Sequence, residues 1–219
     1  MATAEIFLIR HGIRRDFEDP SWKLTAAEPN DPPLAESGLR QGGDIARALV
    51  DDGIEPIRAI YCSPFLRALQ TAAPAARLLD VPVRIEPGFG EWLSPEFFST
   101  PPLLLSLRDA AEFCPMVDVG YIPAHTAGGL EGSETVEVRA RVRLALETIQ
   151  RRTPGESFAV FTHGSPLCQA AAELLGGLDG VDTRMGSITR IVRGDDGRFA
   201  LASSGCDHLR DGDTHLRFH

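Results

Sequence analysis

The chain has 219 residues, 43% apolar and 24% charged, the size and balance expected of one α/β domain over 1–219. A net charge of −9 speaks against a broad nucleic-acid or anionic-membrane surface, and no apolar stretch approaches a membrane-spanning length. Cys62, Cys114, Cys168 and Cys206 form no close ligand pair, which disfavours structural zinc and reads as reduced thiols in a cytoplasmic protein, and Met1-Ala2-Thr3-Ala4-Glu5 lacks the basic segment of a secretory signal.

The first element, residues 6–9, is apolar on both faces, as expected of a central strand covered by helices on each side. It is cut off by Arg10-His11-Gly12, with Arg14 and Arg15 close behind, so a buried strand delivers a histidine and several guanidinium groups to one spot. Residues 17–36, rich in proline and acids, read as an irregular excursion pinned by Phe17 and Trp22. Ser37-Gly38 opens a helix whose positions Leu39, Ala46, Leu49 and Val50 recur at helical spacing, and Asp51-Asp52-Gly53 ends it. Residues 58–62 form a second core strand. Ser63-Pro64 reads as the N-cap and first-turn proline of the next helix, which runs through Leu66, Leu69, Ala73 and Ala76 and is kinked at Pro74.

A short strand covers 83–86. Residues 92–132 are poorly periodic and rich in Pro, Phe and Leu, and are expected to form a cap or rim with a helix near 103–112. Ser133 caps the longest clear helix, with Val138, Val142, Ala145, Leu146 and Ile149 as its apolar stripe and the arginines of 139–152 on its solvated face. Residues 158–162 are the next buried strand, His163-Gly164 the turn, and Ser165-Pro166 the start of a further helix ending at Gly176-Gly177. Two final strands, near 187–193 and 198–204, precede a polar tail. Strands alternating with helices predict a three-layer α/β/α sandwich: a mostly parallel central sheet, helices on both faces, and a small cap formed by the insertions at 17–36 and 92–132.

In such a sheet, ligands bind beyond the carboxyl ends of the strands. Three strands end there in Arg10-His11, in the approach to Arg67, and in Thr162-His163-Gly164. Two of the following helices point N-terminal N–H groups at the same edge, which favours an anion. Arginine suits a tetrahedral phosphate because its planar fork makes paired, charge-assisted bonds. These residues predict a phosphate pocket that needs no metal.

The sequence resembles the histidine phosphatase (phosphoglycerate mutase-like) superfamily. Its hallmark Arg-His-Gly stands as Arg10-His11-Gly12, its SPxxRxxQTA motif as Ser63-Pro64-Phe65-Leu66-Arg67-Ala68-Leu69-Gln70-Thr71-Ala72, and its second histidine as His163. Glu91, in Glu86-Pro87-Gly88-Phe89-Gly90-Glu91-Trp92, takes the proton-donor place. The pattern is closest to the STS-type tyrosine phosphatase branch, matched by Arg14 and Asp16 and by Val117-Asp118-Val119-Gly120-Tyr121, while Ile13 stands where that branch commonly has glutamate.

The resemblance implies a phosphomonoesterase without cofactor or metal. His11 would be its nucleophile, Glu91 its proton donor, and Arg10, Arg14, Arg67 and His163 its phosphate ligands. The implied substrate is a small-molecule or phosphotyrosine-like ester, and such domains often form homodimers. Trp22, Asp118, Tyr121 and Glu134 are candidates for the leaving-group pocket, with rim or core packing and a helix-start acid the plainer alternatives; Glu86 and Glu96 are other carboxylates on the Glu91 stretch. Two other readings stand beside this one: a phosphate-binding module without activity, and a mutase-type phosphotransferase, although the mutase pattern expects an asparagine after the first motif and a longer chain. A metallohydrolase on His11 and His163 lacks any HxH or HExxH motif.

Overall fold

The computed structural model describes residues 4–50, 56–126 and 128–210. The strands are β1 (Glu5–Arg10), β2 (Ile57–Cys62), β3 (Val83–Ile85), β4 (Ser157–Thr162), β5 (Ile188–Arg193) and β6 (Phe199–Gly205). They form one sheet in the order β3-β2-β4-β1-β5-β6. The first four in that order pair in parallel, and β5 and β6 add an antiparallel edge. The register sets Arg10 opposite Thr162 and Cys62 opposite Phe161, so β1, β4 and β2 end side by side.

The helices are α1 (Arg15–Glu18), α2 (Glu36–Ala48), α3 (Leu66–Leu79), α4 (Leu107–Phe113), α5 (Arg139–Arg152) and α6 (Gly164–Leu175). Every residue of β1 is buried because both of its faces are covered. Phe7 and Ile9 join a core with Ile45 of α2 and Ala68, Leu69 and Ala72 of α3. Ile6 and Leu8 face the opposite way, toward Val142 and Leu146 of α5 and Leu167 and Ala170 of α6. This period-2 alternation makes the three layers expected from the sequence.

The two Ser-Pro helix starts differ from expectation in an informative way. Helix α3 begins only at Leu66, because the Ser63 hydroxyl is taken by His163 Nε2 (2.7 Å) and by the Phe65 N–H (3.3 Å). Asp31, from the 17–36 excursion, caps the helix instead by accepting from the Leu66 N–H (3.0 Å). Helix α6 begins one residue early, at Gly164, which puts Ser165 inside its first turn. Ser133 makes no side-chain cap; Glu137 accepts from its N–H (2.9 Å), and a π-helical turn, Glu134–Val138, leads into α5. Helix α3 runs through Pro74 as one element. The expected helix stop at 51–53 and residues 211–219 of the polar tail lie outside the described residues. Among the described residues no helix is long and apolar enough to cross a membrane.

Candidate active site

Buried main chain fixes the nucleophile candidate. His11 is 1% exposed at the end of β1, its N–H donating to the Thr162 carbonyl (3.0 Å). Its Nδ1 lies 2.8 Å from the Gly12 carbonyl, which can only accept, so Nδ1 carries the proton and Nε2 keeps a lone pair. Burial, with Arg67 and Arg10 close by, holds the ring well below the usual histidine range, so it is neutral at pH 7. Gly12 allows this approach: a Cβ there would sit 2.7 Å from the Gly38 carbonyl at the start of α2. Ile13 fills the apolar pocket beneath, with Ala35, Met185 and Phe17, and its N–H donates to Gln41 Oε1 (2.9 Å).

His163, at the end of β4, is fully buried and edge-on to His11 at 5.1 Å between ring centres. Burial, then Arg67 and His11, lower it in the same sense. Arg67 is 1% exposed; Asp31 Oδ1 (3.2 Å) and Glu91 Oε2 (3.3 Å) accept from its two terminal nitrogens. Burial pulls its pKa down to about 10, which leaves it charged at pH 7. Arg10 donates to the Thr183 carbonyl (2.6 Å) and lies flat against the first turn of α6, where a Cβ on Gly164 would come within 3.2 Å of its guanidinium carbon. Arg14 is held by a two-pronged pair with buried Asp16 (2.9 and 2.6 Å), which Lys23 also meets at 3.2 Å.

The carboxylates separate cleanly. Glu91 Oε2 sits 3.4 Å from His163 Nδ1 and 3.3 Å from Arg67, inside the cluster. Glu86 is fully buried and accepts from the N–H groups of Gly88, Ala124 and His125 and from the Tyr121 hydroxyl, so its oxygens brace the cap and the start of the Glu91 loop and are not offered to a ligand. Arg141 was expected on a solvated face, yet it is 7% exposed and grips the loop that carries Glu91.

Two connected hollows meet at Arg14, Glu91 and Trp92. The inner one, about 70 Å³, is lined by Arg10, Gly164, Ser165, Cys168 and Glu134. The outer one, about 400 Å³, adds Lys23, Arg67, Glu96, Phe97 and Phe98. Of the expected pocket residues, Glu134 lines the inner hollow, whereas Trp22, Asp118 and Tyr121 line neither. The Pro20–Leu24 turn sends Lys23 inward to Asp16 and leaves Trp22 half-buried beside it. Asp118 pairs with Arg84 (3.6 Å) and Tyr121 donates to Glu86 (2.7 Å), fastening the cap to the sheet edge at β3. Sequence reasoning missed Asp31 and Arg141.

The ligand atoms of His11, Glu91 and His163 lie within 4.8 Å of one another, close enough to hold a metal ion. Arg67 is in contact with Glu91, and Arg10 and Arg14 act on the same space, so the field there favours an anion over a dication. Buried Arg67 Nε and Ser165 Oγ have no protein hydrogen-bond partner among the described residues and suit phosphate oxygens.

The sequence model of the histidine phosphatase superfamily (branch 1) matches residues 6–205. Human ubiquitin-associated and SH3 domain-containing protein A is 33% identical over 154 residues, 67% of this chain and 23% of that protein. The transcription factor tau 55 kDa subunit of Saccharomyces cerevisiae is 29% identical over 183 residues, 80% of this chain and 42% of that protein. The chain thus spans less than half the length of these relatives. Among solved structures, the ecdysone phosphate phosphatase of Bombix mori in complex with tungstate superposes with a TM-score of 0.73 at 19% identity, covering 91% of this chain and 92% of that one. A mycobacterial glucosyl-3-phosphoglycerate phosphatase follows at 0.62 and 19%, covering 91% and 97%. At these identities the structural likeness is one of fold.

Proposed function

This chain belongs to the histidine phosphatase superfamily, and from that premise we propose that it hydrolyses phosphate monoesters without a metal, through a phosphohistidine on His11. The neutral ring attacks phosphorus with Nε2, because Nδ1–H is tied to the Gly12 carbonyl. As the N–P bond forms and the ester P–O bond breaks, Glu91 gives its proton to the leaving oxygen. Glu91, now a carboxylate, takes a proton from the water that attacks phosphorus, releasing inorganic phosphate and free His11. Arg10, Arg14, Arg67 and His163 offset the charge on the non-bridging oxygens throughout.

The observation that carries this reading is the position of Glu91 Oε2, 3.3 Å from Arg67 and 3.4 Å from His163. A module that only binds phosphate has no use for a carboxylate among its cationic groups. Trp92, Phe97 and Phe98 beside Arg14 and Lys23 suit a flat, apolar leaving group, as in an aryl phosphate of the phosphotyrosine kind. The test is hydrolysis of phenyl phosphate in the presence of a chelator. Wild type should keep its full rate and His11→Ala should lose it. Loss on chelation would overturn the metal-free route, and no hydrolysis of any ester would favour the binding module.

A further inference from the structure

We infer that Arg141, through its pair with Glu131, is the positioning residue that holds the proton-donor loop, residues 88–91, against the nucleophile. The inference rests on the reading of Glu91 as proton donor. A guanidinium has five N–H donors, and here all five have acceptors. Nε donates to Glu131 Oε1 (2.6 Å), and Nη1 to the carbonyls of Gly88 (2.8 Å) and Gly90 (2.9 Å). Nη2 donates to the Glu91 carbonyl (3.0 Å) and to Glu131 Oε2 (3.0 Å).

The one carbonyl Arg141 skips, Phe89, accepts from the Thr162 hydroxyl (2.7 Å), next to His163. Each carbonyl from Gly88 to Glu91 therefore accepts a bond from a side chain rooted in α5 or β4. The loop cannot shift along its length without breaking charge-assisted bonds in a buried setting. Glu131 closes the far side: its carboxylate accepts from the Leu93 N–H (3.2 Å), its own N–H donates to the Leu93 carbonyl (2.9 Å), and its carbonyl accepts from the Trp92 ring N–H (3.3 Å). Gly88 lets the loop lie on α5, since a Cβ there would meet Ala145 Cβ at 2.8 Å.

Glu91 itself is tied only lightly at its side chain, by its contacts with Arg67, His163 and the Trp92 N–H. Its aim at the leaving oxygen is thus inherited from its main chain, which Arg141 holds. A displacement of about 1 Å at such a group is enough to lose on the order of 10²-fold in rate. Lysine has one point-like ammonium and cannot span three carbonyls and a carboxylate in one plane.

The test separates protonation from phosphate binding. kcat/KM reports the steps up to phosphohistidine formation, so it is measured for phenyl phosphate and for 2,4-dinitrophenyl phosphate. Phenolate leaves with the basicity of a tyrosine, about 10, and needs a proton; dinitrophenolate does not. Arg141→Lys and Arg141→Gln should lose roughly 10- to 100-fold on phenyl phosphate and less than about threefold on the dinitrophenyl ester. Glu131→Gln, which keeps the shape of the pair, should show the same split more weakly, and thermal melting of each variant establishes that it is folded. Equal losses on both esters, or no loss on either, in folded variants would overturn the inference. Glu91→Gln is the reference: if it shows no such split, Glu91 is not the proton donor and the proposed function fails with the inference. A split in Glu91→Gln but not in the Arg141 and Glu131 variants removes Arg141 alone.

Discussion

At the floor of the site, His11 and His163 cap adjacent parallel strands, wholly buried and fixed by main-chain register, while at the rim Trp92, Phe97 and Phe98 come from an irregular segment and Phe97 is 48% exposed. The floor is tied through the sheet to both cores. The rim is held by scattered side-chain bonds, such as Glu131 to the Leu93 N–H. Under the proposed function the chemistry is built into the sheet and the loop it holds, whereas selection of the leaving group falls to Phe97 and Phe98, which can vary without disturbing it; Glu131, which braces Arg141, is the part of the irregular segment that cannot.

On that division, floor changes should strike kcat for every ester and rim changes should strike KM for bulky ones. After loss of His11 itself, the largest effect is expected at Arg67. Arg67→Ala should lower kcat by about 10²–10³, as for a lost oxyanion donor, on phenyl phosphate and on the dinitrophenyl ester alike. Steady-state kinetics with both esters check this, and a loss confined to KM would blur floor and rim.

A second effect is on stability. Burial and neighbouring arginines hold His11 and His163 below the usual histidine value, so on acidification the unfolded chain takes up protons before the folded one. Their contribution is fully present above about pH 6.5 and is lost as pH falls below it, with a slope of at most about 1.4 kcal/mol per unit for each ring. His125 and His208, half-buried and shifted the same way, add to the slope with the same sign. Urea midpoints should therefore fall between pH 7.5 and 5.5, and His163→Asn should flatten that fall while Phe97→Ala leaves it unchanged. Equal midpoints for wild type at both pH values would contradict the account. The smallest effect is at the rim, where Phe97→Ala or Phe98→Ala should raise KM for phenyl phosphate about fivefold, worth roughly 1 kcal/mol of apolar contact, with kcat little changed.

The same division decides what could be read from the sequence. Floor residues follow apolar strand runs, and their motifs stand in fixed order, so Arg10, His11, Arg67 and His163 were visible together with the mostly parallel sheet. Helix starts were misread because Ser63, which looked like a cap, is committed to His163. Asp31 leaves no signal at all: it sits in a proline-rich excursion and caps a helix distant in sequence. Arg141 did leave one. It lies three residues after Val138 and four before Ala145, in phase with the buried stripe, and an arginine on an apolar stripe must find buried acceptors. Trp22, Asp118 and Tyr121 are residue types that suit a pocket, yet it is Lys23, next to Trp22, that turns in to Asp16, and Asp118 and Tyr121 are held by long-range contacts to Arg84 and Glu86 that no local pattern encodes.

The proposed function stands or falls on phosphorylation of His11 during turnover. Wild type mixed with radiolabelled phenyl phosphate and quenched in alkaline denaturant within the first turnovers should carry label on the chain. That label should approach one phosphate per active site, be released by acid, and be missing from His11→Ala. Hydrolysis that proceeds with no label on the chain at any quench time, or label that persists in His11→Ala, would contradict the account.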